Sequence, residues 1–145
     1  MEDEEAGEIL KFLLDTNILS EIRKPKPHGG VLAWFTAHHS EGFAIPSLAL
    51  FELQVGAEKV REQDPQRATA FDFWVGRIAG GGNILPLDAT SAREAARLLH
   101  KRPPTLMIDA MIAATAKVHG LIVATRNMKN FEQFEVEVTD PFRYR

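Results

Sequence analysis

The sequence contains no cysteine and no long apolar run, and both absences restrict what the protein can be. A chain without cysteine has no disulfide framework, no thiolate nucleophile and no zinc–thiolate site, which fits a reducing compartment. No segment approaches the roughly 18 consecutive apolar residues that a membrane-spanning helix needs. We therefore expect a cytoplasmic protein with no membrane contact.

Basic residues are missing from residues 1–8, which contain five acidic residues. This is the opposite of the basic opening of a secretory signal, so no export is expected. We expect residues 1–8 to be a disordered acidic leader and residues 9–145 to form a single domain. With 45% hydrophobic residues in 145, the chain is long enough to bury one full core.

The chain also lacks a strong excess of charge of one sign. Its net charge is −3, and without the acidic leader 17 basic residues face 15 acidic ones. This balance excludes wholesale electrostatic binding of nucleic acid, as in histone-like proteins, but allows a local basic rim around an anionic site. The candidates for such a rim, each of which could equally be a solvated surface residue, are Arg23, Lys24, Lys26, Arg93, Arg97, His100, Lys101, Arg102, Arg126 and Lys129.

Short apolar segments alternate with segments of helical periodicity along the chain. The predicted strands cover residues 11–14, 43–45, 84–87, 121–124 and 136–138. The predicted helices cover residues 16–23, 31–38, 47–61, 65–79 and 106–119, with one more beginning at a capping box of Ser91 and Glu94. Ser47 is expected to cap the helix over 47–61, whose apolar pattern places Leu48, Phe51, Val55 and Val60 along one side. The many alanines of 106–119 predict a helix that lies close to the sheet. The alternation of strands and helices predicts an α/β sandwich with a mainly parallel sheet.

Three carboxylates lie in apolar contexts where an unpaired charge is costly. Asp15 ends the run Phe12–Leu14, while Glu52 and Asp109 each lie inside an apolar helical segment. Such groups need a shared cation, and the carboxyl edge of an open α/β sheet is where ligands bind. Because Mg²⁺ and Mn²⁺ prefer oxygen ligands, we expect Asp15, Glu52 and Asp109 to meet around one of these ions.

Each carboxylate also has a structural interpretation. Asp15 can equally be the N-cap of the helix that starts at Thr16, and Asp109 can equally be a first-turn acid that the helix dipole favours. For Glu52 a functional role is favoured, because the other residues on its face of the helix are apolar. Asp88 is interpreted as the start of the next helix, and the five histidines show no metal-binding spacing.

Four segments of the chain resemble, in order, the motifs of PIN-domain ribonucleases. They are Leu13–Glu21 (LLDTNILSE), Phe51–Gly56 (FELQVG), Ile108–Ala116 (IDAMIAATA) and Val123–Phe131 (VATRNMKNF). The resemblance is in particular to VapC-type and FitB-like toxins of bacterial type II toxin–antitoxin systems, and it extends from about Leu10 to Phe142.

The resemblance implies a PIN-like three-layer α/β/α sandwich and a metal-dependent endoribonuclease. In such an enzyme Mg²⁺ or Mn²⁺ would be held by Asp15 and Asp109 and assisted by Glu52. Positions that support the site by hydrogen bonds are Thr16, Asn17 and Thr125. The resemblance also implies a homodimer and a VapB-like antitoxin, through which alone the complex would contact operator DNA.

The chain departs from the family pattern at the fourth acidic position. Family members often have Asp where Asn127 or Asn130 stands, so a single metal ion is expected rather than two. The same amides also agree with an alternative function, a PIN fold that only binds a partner and cleaves nothing. A second alternative is a DNA nuclease of the same fold. A receiver-like phosphoacceptor domain using Asp88 is disfavoured, because only Asp15 follows the first strand where a receiver has paired acids.

Overall fold

The computed structural model describes residues 9–145, and the leader expected over residues 1–8 lies outside the described residues. Within residues 9–145 the five strands are β1 (Phe12–Leu14), β2 (Phe43–Pro46), β3 (Ile84–Leu85), β4 (Ile122–Ala124) and β5 (Val138–Thr139). The seven α-helices of this part are α1 (Thr16–Arg23), α2 (Gly29–His38), α3 (Ser47–Gln63), α4 (Pro65–Gly81), α5 (Ala89–Leu99), α6 (Met107–His119) and α7 (Met128–Glu132). The expected alternation of strands and helices is confirmed.

All five strands pair in parallel in the order β3-β2-β1-β4-β5. The central strand is β1, in which Leu13 lies level with Ala44 of β2 and with Val123 of β4. The amide of Asp15 continues this pairing by donating a hydrogen bond to the carbonyl of Ala124 at 3.0 Å. The residues that follow β1 and β4 therefore emerge side by side at the carboxyl edge of the sheet.

Side chains of β1 alternate between two hydrophobic clusters, one on each face of the sheet. Leu13 packs with buried residues of α5, α6 and α7, including Ala113 and Phe131. Phe12 and Leu14 pack on the other face with buried residues of α1, α2, α3 and α4. Both faces of the sheet are thus covered by helices, and the expected three-layer α/β/α sandwich is confirmed.

Helix α6 lies close to the sheet because its buried face is built from alanines. Ala110, Ala113, Ala114 and Ala116 are fully buried, as the small side chains in this segment predicted. The helix ends at Gly120, whose φ of 68° is the left-handed conformation that favours glycine at a helix C-terminus. This close packing carries Asp109, in the first turn of α6, toward the carboxyl edge of the sheet.

Asp88 begins α5, as its position in the sequence predicted, whereas two residues expected to cap helices, Ser91 and Ser47, do not. Helix α5 begins at Ala89, and its N-cap is Asp88, whose side chain accepts a hydrogen bond from the Ser91 amide at 2.8 Å. The capping box expected at Ser91 does not form because Ser91 is already buried inside the helix. Ser47, expected to cap α3, is the first helical residue and follows Pro46, which has no capping side chain.

The orientation of α3 also differs from the apolar pattern, which had placed Leu48, Phe51, Val55 and Val60 along one side. The helix instead buries Ala49, Leu53 and Ala57, while the side chains of Phe51 and Val55 are 57% and 38% exposed. Large apolar side chains give the strongest signal in the sequence pattern. The small side chains of Ala49 and Ala57 instead face the core, because they allow α3 to pack closely against its neighbours.

The outer strands β3 and β5 are shorter or shifted relative to the sequence expectation. Pro86 follows β3, and because proline has no amide to donate, the strand ends at Leu85 instead of Leu87. Val136 is buried in the core but pairs with no strand, and β5 begins only at Val138. In the part of the chain that the structure describes, no helix is both long enough and apolar enough to cross a membrane.

Replacing Ala113 by leucine tests the close packing of α6. Three added carbons have no space at this fully buried position, so we expect Ala113→Leu to lower the free energy of unfolding by about 1–3 kcal/mol. Urea unfolding followed by circular dichroism measures the change. The matched control is Ala96→Leu on the exposed face of α5, for which we expect almost none. Equal stability of the two variants would contradict the packing described for α6.

Candidate active site

The three carboxylates singled out in the sequence line one open cleft at the carboxyl edge of the sheet. Asp15 follows β1, Glu52 lies in the second turn of α3 and Asp109 lies in the first turn of α6. The other residues that line the cleft are Thr16, Asn17, Ser20, Glu21, Lys24, Arg126, Asn127 and Phe142. The fold therefore brings together residues that are up to 127 positions apart in the sequence.

Asp15 is the most buried of the three, with only 4% of its surface exposed. Its Oδ1 accepts a hydrogen bond from the Thr16 amide at 2.8 Å. Its Oδ2 accepts bonds from the Thr125 hydroxyl at 2.8 Å and from Nδ2 of Asn17 at 3.1 Å. Asp15 is thus the N-cap of α1, which confirms its structural interpretation, and it also lines the cleft.

Burial raises the pKa of Asp15 from 3.8 to about 6, because the desolvated carboxylate is disfavoured. The hydrogen bonds from Thr125 and Thr16 oppose this rise, whereas the negative charges of Asp109 and Glu52 add to it. No Lys, Arg or His among residues 9–145 forms an ion pair with Asp15, Glu52 or Asp109. The cleft therefore holds acidic charge that the described part of the protein does not neutralise.

Glu52 is connected to α1 by one short hydrogen bond. The Thr16 hydroxyl donates to its Oε1 at 2.6 Å, which joins the first turn of α1 to the second turn of α3. The side chain of Glu52 is half-buried, and it opens on the cleft instead of packing into the core. This placement agrees with the functional interpretation of its sequence context.

Asp109 is held by an amide from the chain that follows β4. Nδ2 of Asn130 donates to its Oδ2 at 2.9 Å, and partial burial raises the pKa of Asp109 despite this bond. Asn130 thus acts on the site through Asp109, whereas Asn127 lines the cleft directly. The two amides that replace the family's fourth acid therefore have different positions.

The hydroxyl of Thr125 connects several parts of the site beneath the cleft surface. Besides donating to Asp15, its Oγ1 accepts hydrogen bonds from the Asn127 amide at 2.9 Å and from Nδ2 of Asn17 at 3.3 Å. Asn17 in turn accepts a bond from the Arg126 amide through its Oδ1 at 3.2 Å. Every residue expected to support the site therefore contacts an acidic residue or the hydrogen-bond network around one.

Some lining residues were not expected from the sequence. Ser20 and Glu21 lie one turn beyond Thr16 and Asn17 on α1, and this helical spacing could have indicated them. Phe142 had no local signal, because it reaches the cleft only through the packing of a short helical turn at Pro141–Arg143. Asp88, on which a receiver domain would depend, is not among the cleft residues and serves as the cap of α5.

The acidic residues share the cleft without forming a closed ligand cage. Among residues 9–145, no three side chains of Asp, Glu or His are grouped so that they could hold a metal ion by themselves. Two of the carboxylates are held by hydrogen bonds from neighbouring side chains, Glu52 by Thr16 and Asp109 by Asn130. The donors nevertheless fit Mg²⁺ or Mn²⁺, since Mg²⁺ keeps several waters and uses one or two carboxylates plus substrate phosphates.

Comparison with known proteins agrees with this architecture. The family model of the PIN domain matches residues 12–136, most of the described chain. The chain belongs to the PIN-domain family. The resemblance drawn from the four motifs is thereby confirmed, and the acidic cleft lies where those motifs converge.

Two curated relatives match this PIN domain over nearly their whole length. The chain is 31% identical over 141 residues to VapC ribonuclease Y4jK of Sinorhizobium fredii, covering 90% of this chain and 97% of the relative. It is 37% identical over 130 residues to the tRNA(fMet)-specific endonuclease VapC of Shigella flexneri, covering 86% and 92% respectively. The chain therefore spans nearly the whole length of both relatives.

Solved structures of related proteins share the fold. The crystal structure of FitAcB from Neisseria gonorrhoeae superposes with a TM-score of 0.74 at 29% identity, covering 91% of this chain and 99% of that chain. A DNA-bound VapBC from Salmonella typhimurium superposes with a TM-score of 0.69 at 30% identity, covering 92% and 99%. The PIN domain described here is thus similar in fold to a chain of FitAcB and to a chain of a DNA-bound VapBC.

The raised pKa of Asp15 predicts how the stability of the metal-free protein depends on pH. The folded state binds the proton more tightly than the unfolded state, so this stabilisation is fully present below pH 3.8 and is lost as the pH rises through about 6. We expect Asp15→Asn to remove this loss and to stabilise the protein near pH 7 by up to roughly 3 kcal/mol, less what its altered hydrogen bonds contribute.

Urea unfolding in EDTA at pH 5 and pH 7.5 measures this difference. The control is Asp64→Asn, which changes the exposed N-cap of α4 in the same way. A pH dependence that is the same in the parent and in Asp15→Asn would show that Asp15 does not take up a proton in this range.

Asn130 offers a second test, based on its contact with Asp109. In Asn130→Asp two carboxylates would replace an amide–carboxylate bond of 2.9 Å, so we expect a loss of about 1–3 kcal/mol in EDTA. The added charge should also enlarge the rise in melting temperature on addition of Mn²⁺. Thermal unfolding with and without Mn²⁺ measures both effects. Asn127→Asp, at an exposed position, is the matched control and should lose less in EDTA; an equal loss would argue against the Asn130–Asp109 contact.

Proposed function

We propose that this PIN domain is a divalent-metal-dependent endoribonuclease and the toxin of a type II toxin–antitoxin system. The observation that carries the proposal is the buried carboxylate of Asp15, which has no cationic partner among residues 9–145 and faces Asp109 and Glu52 across one cleft. A structural N-cap alone would not require two further acids beside it. The names of the relatives, a VapC ribonuclease and an endonuclease, support the same activity.

The metal we propose is Mg²⁺ or Mn²⁺, held by Asp15 and Asp109 with assistance from Glu52. Such an ion, when bound, would supply Lewis-acid polarisation of a phosphodiester and would lower the pKa of a water molecule. It would also offset the repulsion between the acidic cleft and an RNA phosphate. With amides at Asn127 and Asn130, the protein supplies fewer charges than a two-ion site needs, and we propose a single ion.

The roles of the protein's own residues follow from their hydrogen bonds. Thr125 and Asn17 both donate to Oδ2 of Asp15, and the Thr16 amide donates to its Oδ1, so that both carboxylate oxygens keep fixed positions. Thr16 does the same for Glu52, and Asn130 does it for Asp109. A site whose ligands are already oriented loses little entropy when a substrate phosphate and its ion arrive.

The proposed partners follow from the same relatives. We propose that the chain forms a homodimer and binds a VapB-like antitoxin, and that operator DNA is contacted only through that antitoxin. The likeness to a DNA-bound VapBC complex supports this assembly. We also propose a cytoplasmic location, where the RNA substrate is found.

A second candidate is a PIN fold that only binds a partner. It is favoured by the hydrogen bond between Asn130 and Asp109, which satisfies the acid without an ion, and by the lack of a closed three-acid cage among residues 9–145. This candidate predicts no cleavage of RNA at any Mn²⁺ concentration. A DNA nuclease would instead cleave single-stranded DNA at least as fast as RNA of the same sequence.

The decisive test compares the parent with Asp15→Asn and Asp109→Asn. We expect both substitutions to abolish cleavage of single-stranded RNA in Mn²⁺, because each removes a proposed ligand charge while leaving a side chain of equal size. Expression in cells that lack the antitoxin gene should arrest growth only for the parent, and mapping of RNA ends in those cells should give discrete new termini. Asp64→Asn, at a remote helix cap, should behave like the parent.

Two results would contradict the proposal. Cleavage by Asp15→Asn at the parental rate would reduce Asp15 to a helix cap. A parent that is folded by circular dichroism but cuts no RNA at any Mn²⁺ concentration would favour the binding module.

A further inference from the structure

One cation at the rim of the cleft has no acidic partner within residues 9–145. Two basic residues line the cleft, Lys24 and Arg126. Nζ of Lys24 lies 2.9 Å from Oε1 of Glu21, so its charge is already paired. Arg126 forms no ion pair with any residue in the range 9–145, and its side chain is exposed. Its charge is therefore available to a ligand of the cleft.

The position of Arg126 is defined at both ends of the residue. Its backbone amide donates to Oδ1 of Asn17 at 3.2 Å, in the network around Asp15. Its guanidinium carbon lies 4.3 Å from the ring centroid of Phe142. The guanidinium donates no hydrogen bond to any residue in the range 9–145, so its N–H donors remain available to an anion.

Phe142 is itself a fixed support. Its ring centroid lies 5.0 Å from that of His28, and its amide donates to Oδ1 of Asp140 at 3.0 Å. Gly30 allows this segment to pack against the start of α2, since a Cβ there would lie 3.1 Å from the carbonyl oxygen of Phe142. The chain around Phe142 is therefore held from several directions, and the ring can keep Arg126 at the cleft.

The chemistry of Arg126 selects the type of ligand. The planar fork of an arginine matches the oxygens of a phosphate and can bind two of them at once. In the function proposed above, the acidic floor of the cleft would hold the metal for one phosphate, and a cation beside it can neutralise the next phosphate of the same strand. We propose that Arg126, held against Phe142, binds an RNA phosphate that flanks the scissile one. This inference rests on the endoribonuclease function proposed above.

The test measures cleavage of a single-stranded RNA oligonucleotide in Mn²⁺ over a range of NaCl concentrations. We expect Arg126→Gln to raise KM about tenfold at low salt with a smaller change in kcat, since a contact to a charged group outside the reacting atoms is lost. The plot of log kcat/KM against log salt should become shallower by about 0.7, the value for one phosphate contact on a single strand. A purely structural residue would not change this slope.

Three further variants separate charge from geometry. Arg126→Lys keeps the charge and should keep the salt slope, with a KM between those of the parent and Arg126→Gln. Phe142→Leu should also keep the slope but raise KM, because the guanidinium loses its support. Arg93→Gln removes the same charge from α5, away from the cleft residues, and should match the parent.

The failure of this inference differs from the failure of the proposed function. If the parent cuts RNA but Arg126→Gln and Arg93→Gln have the same KM and salt slope, Arg126 contacts no phosphate and the inference is wrong. A normal salt slope with a lower kcat in Arg126→Gln would also overturn it, since that result would indicate disturbance of Asn17 and Asp15. If the folded parent cuts no RNA at all, the proposed function fails and this inference fails with it.

Discussion

The burial of one carboxylate, Asp15, is the constraint on which the site depends. A charge that is only 4% exposed to solvent and unpaired within residues 9–145 is unfavourable unless its surroundings are organised for it. The protein supplies an amide, a hydroxyl and a side-chain amide as donors, yet the pKa of Asp15 is still raised to about 6. The hydrogen bonds therefore orient the carboxylate without fully compensating its desolvation, which leaves a site suited to a cation.

The parallel sheet explains why these donors are available at one place. Because β1 and β4 are neighbours and both end at the same edge, Asp15 and Thr125 meet although they are 110 residues apart. Helices α3 and α6 then approach that edge from opposite faces of the sheet and bring Glu52 and Asp109. The acidic cleft is a consequence of topology, with each acid held by a donor from a different element.

Division of charge within the cleft gives the proposed function its physical basis. The floor is acidic and suits a divalent ion, whereas the rim carries Arg126 and a Lys24 already paired with Glu21. An RNA strand, which carries a phosphate at every nucleotide, needs both features if one phosphate is to react and its neighbours are to stay bound. This arrangement makes the near-neutral charge of the whole chain compatible with a nucleic-acid substrate.

The sequence by itself determined the alternation of strands and helices, the parallel sheet and the identity of the acidic residues, because hydrophobic periodicity and misplaced charges are local signals. Its errors were at places where packing outweighs pattern, as in α3, where small buried alanines leave Phe51 and Val55 exposed. At α5 the helix starts after Asp88 as predicted, but the capping box expected of Ser91 and Glu94 does not form. The contacts between residues distant in sequence were decided only by the tertiary structure. No local sequence pattern encodes these contacts, because each joins segments that only the folded chain brings together. They are the hydrogen bonds from Asn130 to Asp109 and from Thr125 to Asp15, and the contact of Arg126 with the ring of Phe142.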